Sequence, residues 1–186
     1  MRVAGLLLAA GAGRRFGRPK ALVSHGGALW VDSTLAVLRD AGCAPLVVVL
    51  GARAGEVRAR AGLDGAVVVV NGEWASGMGS SLRAGLAALD ASADAVVVLP
   101  VDTPGVTVAA VRRFVDLAAP AALARAVYDG APGHPVLLGR DHWAGVSASA
   151  GGDAGARDYL REQRAVSVPC DDVADGRDVD RPEDLP

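Results

Sequence analysis

The sequence predicts an α/β fold: a three-layer αβα, Rossmann-like sandwich on a mostly parallel sheet with one antiparallel strand. Three observations carry this expectation. Apolar runs of strand length recur at 3–9, 45–50, 66–70 and 95–99. Amphipathic segments of helical period separate them. The runs are apolar throughout rather than alternating, as strands covered on both faces must be. Right-handed crossovers between such strands place helices on both sides of the sheet.

The elements follow in order. Val3–Ala9 reads as the first strand. "MRVAGLLLAAGAG" imitates a secretion signal, but its apolar run is short and a second basic cluster follows at once. No stretch approaches the roughly 20 apolar residues of a membrane span. Trp30–Ala41 carries Leu35 and Leu38 at helical spacing and ends at Gly42, a C-terminal cap. "PLVVVL" (Pro45–Leu50) is the second strand, Ala54–Arg60 a short helix, and "AVVVV" (Ala66–Val70) the third strand. Ser80–Ala91 is a helix with Leu82, Leu86 and Leu89 on one face, capped by Ser80 or Ser81. "AVVVL" (Ala95–Leu99) is the fourth strand and Val108–Ala118 the next helix. Beyond Val127, "AALARAVYDG" and "GHPVLL" read as two strands joined by a "DGAPG" turn, one of them antiparallel. Asp153–Gln163 is a helix and Ala165–Val168 a last strand. The tail "DDVADGRDVDRPEDLP" is too acidic and Pro-rich for core. A length of 186 residues fits one domain, 1–186.

Composition narrows the function classes. A net charge of −2 argues against a general nucleic-acid or membrane-surface binder. Cys43 and Cys170 make no disulfide framework, which fits a reducing cytoplasm. Charge is uneven: from Asp171 onward seven acids face two arginines. Of the 19 basic residues only Lys20 is a lysine.

In sheets of this kind ligands bind beyond the carboxyl ends of the strands. The informative loops are therefore those after Ala9, Val70 and Leu99. The first is "AAGAGRRFGRPK". Gly11, Gly13 and Gly17 are spaced one residue too long for G-x-G-x-x-G, and Pro19 interrupts the helix that should follow. The G-x-x-x-x-G-K-[ST] pattern is absent. Two readings remain open. One is a different phosphate loop, with the N–H groups of Gly11 and Gly13 on a triphosphate and charge from Arg14, Arg15, Arg18 and Lys20. The other is a plain turn with a solvated basic rim. Lys20 weighs toward phosphate, because a chain that uses arginine everywhere else keeps one compact ammonium that a planar guanidinium does not replace.

The loop after the fourth strand, "VVVLPVDTPGV", holds Asp102 between two prolines. A hard carboxylate there suits Mg²⁺ with substrate phosphates; it equally suits a turn before Thr103-Pro104. The loop after the third strand, "NGEWASGMGSSLRAG", sets Gly77 and Gly79 beside Ser80 and Ser81. His134 reads as a structural donor or a phosphate contact. Arg157 reads as an ion-pair partner of Asp153 or Asp158, or as a phosphate contact at a helix start. Trp30, Trp74 and Trp143 read as packing residues.

These residues carry a resemblance. "LLLAAGAGRRFGRPKAL" resembles the L-A-x-G-x-x-x-R-M-G-x-x-K signature of the MobA-like NTP transferase superfamily, with Phe16 in place of Met. Asp102-Thr103-Pro104 is similar to the family's D-x-P. "RDVDRPEDL" is similar to its D-x-D-T-P-E-D-L, with Arg181 for Thr. "NGEWASGMGSSLRAG", "GAPGHPVLLGRDHW" and "GDAGARDYL" resemble segments of the molybdenum cofactor cytidylyltransferases, with Gly72 where Pro is usual. The resemblance spans essentially the whole chain.

It implies a nucleotide-diphospho-sugar transferase-like fold and Mg²⁺-dependent transfer of a nucleoside monophosphate from an NTP to a phosphorylated acceptor, releasing pyrophosphate. By position it implies Arg15, Lys20 and Asp102 as catalytic residues. Leu8, Ala9, Ala10, Gly11, Gly13, Asn71, Gly79 and Ser80 would join Arg15, Lys20 and Asp102 in binding nucleotide. Asp102 and Asp180 would hold the metal, with Asp178 as an alternative to Asp180. His134, Gly155 and Arg157 would meet the acceptor. Leu8-Ala9-Ala10-Gly11 stands where relatives using guanosine nucleotides carry LAGG, which implies CTP. The implied acceptor is molybdopterin carrying molybdenum, with a molybdenum enzyme receiving the product. Other acceptors on the same scaffold (a phosphorylated sugar, polyol or phospholactate) and a non-catalytic nucleotide-binding cofactor chaperone stay open. Some relatives carry the name of an oxidoreductase on an aromatic substrate, but this sequence has no Cys cluster and no proper dinucleotide fingerprint.

Overall fold

The computed structural model describes residues 1–184. Leu185, which closes the C-terminal motif, lies outside the described residues. Among the described residues are nine strands and six α-helices: β1 (Val3–Ala9), β2 (Ser24–His25), β3 (Ala28–Leu29), α1 (Trp30–Asp40), β4 (Leu46–Leu50), α2 (Ala54–Arg60), β5 (Ala66–Val70), α3 (Met78–Ala87), β6 (Ala95–Pro100), α4 (Val108–Asp116), β7 (Leu123–Tyr128), β8 (Ala131–Gly139), α5 (Trp143–Ser149), α6 (Arg157–Glu162) and β9 (Val166–Pro169).

Seven strands form one sheet in the order β5-β4-β1-β6-β8-β7-β9. β8 runs antiparallel to both β6 and β7, and every other neighbouring pair is parallel. The expected three-layer α/β architecture and its one reversed strand are therefore present. All seven residues of β1 are buried. Alternation explains why the run is apolar throughout. Leu6 packs with Val47, Val49 and Leu86 on one face, and Leu7 with Val48, Leu35 and Leu38 on the other. α1 and α4 cover the second face, and α3 and α5 the first.

Several boundaries differ from the sequence expectation, each for a local reason. The β7–β8 turn is only Asp129-Gly130, both at positive φ (49° and 76°), as a two-residue hairpin turn requires. Ala131, Pro132 and Gly133 of the expected turn belong to β8. α3 begins at Met78, not Ser80, and the expected serine cap is not made. Gly77 occupies the cap position at φ 112°, and Ser80 and Ser81 lie buried inside the first turn. The expected helix 153–163 is broken. Gly152–Ala154 forms a separate 3-10 turn, Gly155 adopts φ 53°, and only then does α6 begin. The small β2–β3 hairpin, turned by Gly26 and Gly27 at positive φ, was not indicated by the apolar pattern. The acidic tail is not wholly outside the core. Val179 is buried there, and its N–H donates to the Asp102 carbonyl at 2.8 Å. Among the described residues no helix is long and apolar enough to cross a membrane.

Candidate functional site

β1 and β6 end side by side and open into a cleft of about 430 Å³. One wall is the glycine loop from Ala10 to Arg15. This loop doubles back on itself: the Gly17 N–H donates to the Gly13 carbonyl at 2.9 Å. Gly13 has φ +60°, and a Cβ there would overlap the Arg18 carbonyl. Phe16, in the place of the signature Met, is buried edge-on against Trp30 with ring centroids 5.7 Å apart. That apolar anchor pins the loop while the neighbouring arginines stay outside.

The floor carries charge. Lys20 starts a 3-10 turn just after Pro19. Its ammonium donates to Asp102 Oδ2 at 3.2 Å and to Asp180 Oδ1 at 2.7 Å. Arg15 Nη1 meets Asp180 Oδ2 at 2.8 Å. The Lys20 hydrogen bond holds the Asp180 carboxyl below the ordinary carboxylate range, against a smaller upward push from burial. Asp178 is pushed up by burial and then by the charges of Asp102 and Asp180. The aspartates thus make a local negative field that Lys20 and Arg15 offset. Among the described residues no cluster of three or more His, Cys, Asp or Glu has metal-holding geometry. Two hard carboxylates sharing one ammonium still fit a divalent ion that takes one or two protein carboxylates and completes its shell with phosphate oxygens and water.

The far wall is Trp74, Ala75, Gly77, Met78, Ser81 and Asp153. It is built by backbone approaching backbone. A Cβ on Gly77 would lie 2.5 Å from the Gly152 carbonyl oxygen, and one on Gly79 2.8 Å from Gly151 N. A Cβ on Gly51 would lie 2.5 Å from Cβ of Trp74, so Gly51 makes room for that ring. The Arg83 guanidinium ties α3 to the Ala150 carbonyl.

Of the expected residues, Leu8, Ala10, Gly11, Gly13, Arg15, Lys20, Asp102 and Asp180 line this one cleft. Ala9 points to the opposite face of the sheet and packs in the core. Asn71, Gly79 and Ser80 are buried behind the wall. Asn71 Nδ2 donates to Ser80 Oγ (2.8 Å) and Ser81 Oγ (3.1 Å), and its Oδ1 accepts from the Glu73 N–H (2.9 Å). Ser80 Oγ lies within bonding distance of the Glu73 and Gly77 carbonyls. Asn71→Ala is expected to cost about 1–3 kcal/mol of stability by leaving buried hydroxyls without their donor, readable in chemical denaturation.

His134, Gly155 and Arg157 do not line the cleft. Burial pulls the His134 imidazole below its ordinary pKa, against the pull of Asp102. Gly155 lies against Met78. The alternative reading of Arg157, an ion pair with Asp153 or Asp158, is not seen among the described residues, where Asp158 pairs with Arg161 at 2.9 Å. Trp30 is buried, and Trp143 Nε1 donates to the Leu138 carbonyl, as packing residues do. Trp74, read as packing, does pack against the core and lines the cleft as well, as does Met78. For Trp74 the signal was its place in the loop beyond Val70, at the ligand edge.

The model of the MobA-like NTP transferase domain matches residues 5–167, a span that holds the glycine loop and Asp102. The chain belongs to the MobA-like NTP transferase family. It is thus a member of a nucleotidyltransferase family. Asp180 lies beyond the matched span. Over 193 residues the chain is 39% identical to nicotine blue oxidoreductase of Paenarthrobacter nicotinovorans, covering 98% of this chain and 94% of that one. Over 198 residues it is 35% identical to molybdenum cofactor guanylyltransferase of Rhodobacter capsulatus, covering 100% and 94%. The crystal structure of Rv0371c from Mycobacterium tuberculosis H37Rv superposes with a TM-score of 0.85 at 31% identity, covering 99% of this chain and 95% of that one. Its complex with manganese superposes at 0.78 with 30% identity, covering 91% and 88%.

Proposed function

We propose that this family member is a cytoplasmic, single-domain Mg²⁺-dependent cytidylyltransferase acting on the molybdenum-loaded pterin cofactor. One observation carries the reading: a glycine loop, Lys20, Arg15 and the carboxylates Asp102 and Asp180 converge on one cleft at the sheet's carboxyl edge. An acceptor phosphate oxygen attacks the α-phosphorus of CTP. A P–O bond forms, the bond to the β-phosphate oxygen breaks, and pyrophosphate leaves with the electron pair. An anionic acceptor needs no protein base. Loop N–H groups orient the triphosphate, and Lys20 and Arg15 take up charge developing on the leaving group. Asp102 and Asp180 would hold the divalent ion, which when bound supplies Lewis-acid polarisation of the phosphoryl oxygens. The manganese complex of Rv0371c supports such a metal.

Ala10 lines the cleft where relatives using guanosine nucleotides carry glycine, and it supports the cytidine preference because an added methyl there would crowd a larger base. Steric discrimination of this size is modest. The guanylyltransferase relative makes GTP the direct competitor. That relative and the GMxSSL, GHPV and GDxGAR segments support molybdopterin as acceptor.

Thermal unfolding with CTP, GTP, ATP and UTP, each with and without Mg²⁺, tests the donor. The largest Mg²⁺-dependent rise in Tm is expected with CTP, since a ligand at about 100 times its Kd stabilises by roughly 2.7 kcal/mol. A largest rise with GTP overturns the cytidine assignment. No rise with any nucleotide overturns the transferase reading. The oxidoreductase relative favours a second reading, in which turnover depends on an oxidisable cofactor and no NTP raises Tm.

A further inference from the structure

This inference rests on the nucleotidyltransferase reading above. The two cations assigned to phosphate are both engaged elsewhere in the free protein. Lys20 Nζ bridges Asp102 Oδ2 and Asp180 Oδ1, and Arg15 occupies the other oxygen of Asp180. The Lys20 side chain is only 11% exposed, whereas that of Arg15 is 68% exposed. Lys20 therefore occupies the space between the two carboxylates that a divalent ion would need.

We propose that Lys20 is an internal counter-ion that excludes divalent metal until nucleotide arrives. An ammonium between two carboxylates repels a dication and competes for the same oxygen lone pairs. The triphosphate offers that ammonium a stronger partner. Lys20 swings to the phosphates, Arg15 follows, and the carboxylates are released to the metal. The swing needs no backbone movement. Ala21 and Leu22 beside Lys20 are buried, and the Lys20 carbonyl is held by the Val23 N–H at 3.0 Å. A four-carbon stem with a compact charge can exchange partners this way, and Arg15, 68% exposed and held by one nitrogen, is free to follow. By linkage, metal and nucleotide each raise the other's affinity by the same factor.

Two measurements test the device. The first is Mn²⁺ affinity without nucleotide, read by electron paramagnetic resonance of the free ion. Lys20→Met is expected to bind Mn²⁺ at least tenfold more tightly than wild type, and adding Asp102→Asn to that variant should remove the gain. A Lys20→Met protein of wild-type Tm that binds Mn²⁺ no more tightly overturns the proposal. The second measurement uses the wild-type protein, whose single lysine gives a single side-chain ¹⁵N ammonium resonance. That resonance is expected to shift when CTP and Mg²⁺ are added together. Shifts at the Gly11 and Gly13 amides with an unmoved Lys20 resonance also overturn the swap. If no nucleotide shifts the loop amides, the transferase reading fails, and the counter-ion role is decided by the Mn²⁺ comparison alone.

Discussion

Asp102→Asn is expected to lower nucleotidyl transfer by at least about a hundredfold while leaving the fold intact, the scale seen when one preorganised charge is removed from a reacting centre. The change is nearly isosteric. The Asp102 main-chain carbonyl still accepts from the Val179 N–H, and the adjacent Thr103 hydroxyl still bonds the Pro100 carbonyl. What disappears is a negative charge at the carboxyl end of β6, facing Lys20 at 3.2 Å. The neutral amide oxygen of Asn holds a hard divalent ion more weakly than a charged carboxylate does. Lys20 is left to pair with Asp180 alone. Pyrophosphate release at saturating nucleotide and acceptor reads the loss, and Tm reads the fold. Wild-type turnover at wild-type Tm would remove Asp102 from the machinery.

Gly13→Ala is expected to weaken nucleotide binding by at least a hundredfold, about 2.7 kcal/mol at 25 °C. Two costs act together. An alanine at φ +60° is strained by roughly 1–2 kcal/mol, and its Cβ would overlap the Arg18 carbonyl, which is backbone and cannot rotate away. Relief requires opening the turn that the Gly17–Gly13 hydrogen bond closes. The loop N–H groups would then lose the curvature proposed to face the triphosphate, and Lys20 would be displaced with them. Isothermal titration with CTP and Mg²⁺ measures the affinity. Gly17→Ala is a useful contrast, because its Cβ would meet no atom within 4 Å, though its φ of +88° is strained too. Equal, small losses in both variants would show that strain matters and the overlap does not.

Much of the architecture was legible because burial on both faces leaves a simple imprint: "LVVVL" and "AVVVL" are short, β-branched and apolar throughout, as buried parallel strands are. The glycine loop and Asp102 were legible because topology places both at one edge of the sheet. Lys20 stood out by its rarity among arginines. The start of α3 was not legible, because a serine pair at a helix start reads as a cap. What fixes the boundary is Gly77, whose conformation answers to Gly152, distant in sequence. The break at Gly155 is of the same kind. Alanines and arginines along 153–163 favour one continuous helix, and Gly155, at φ 53° beside Met78, interrupts it. The burial of Val179 was masked by its acidic neighbours, since composition averages over a window while packing selects one side chain.

The glycine-to-glycine contact between residues 77–79 and 151–152 also bears on how the specificity of this cleft could be reshaped by laboratory evolution. Two loops that touch main chain to main chain offer little room for variation at the seam. Random replacement there would mostly yield misassembled proteins and dilute any library. Productive diversity lies one step away, at Trp74, Ala75, Met78 and Asp153, whose side chains line the cleft wall. A library that holds the glycines constant and varies those four positions would sample new ligand shapes on an unchanged frame.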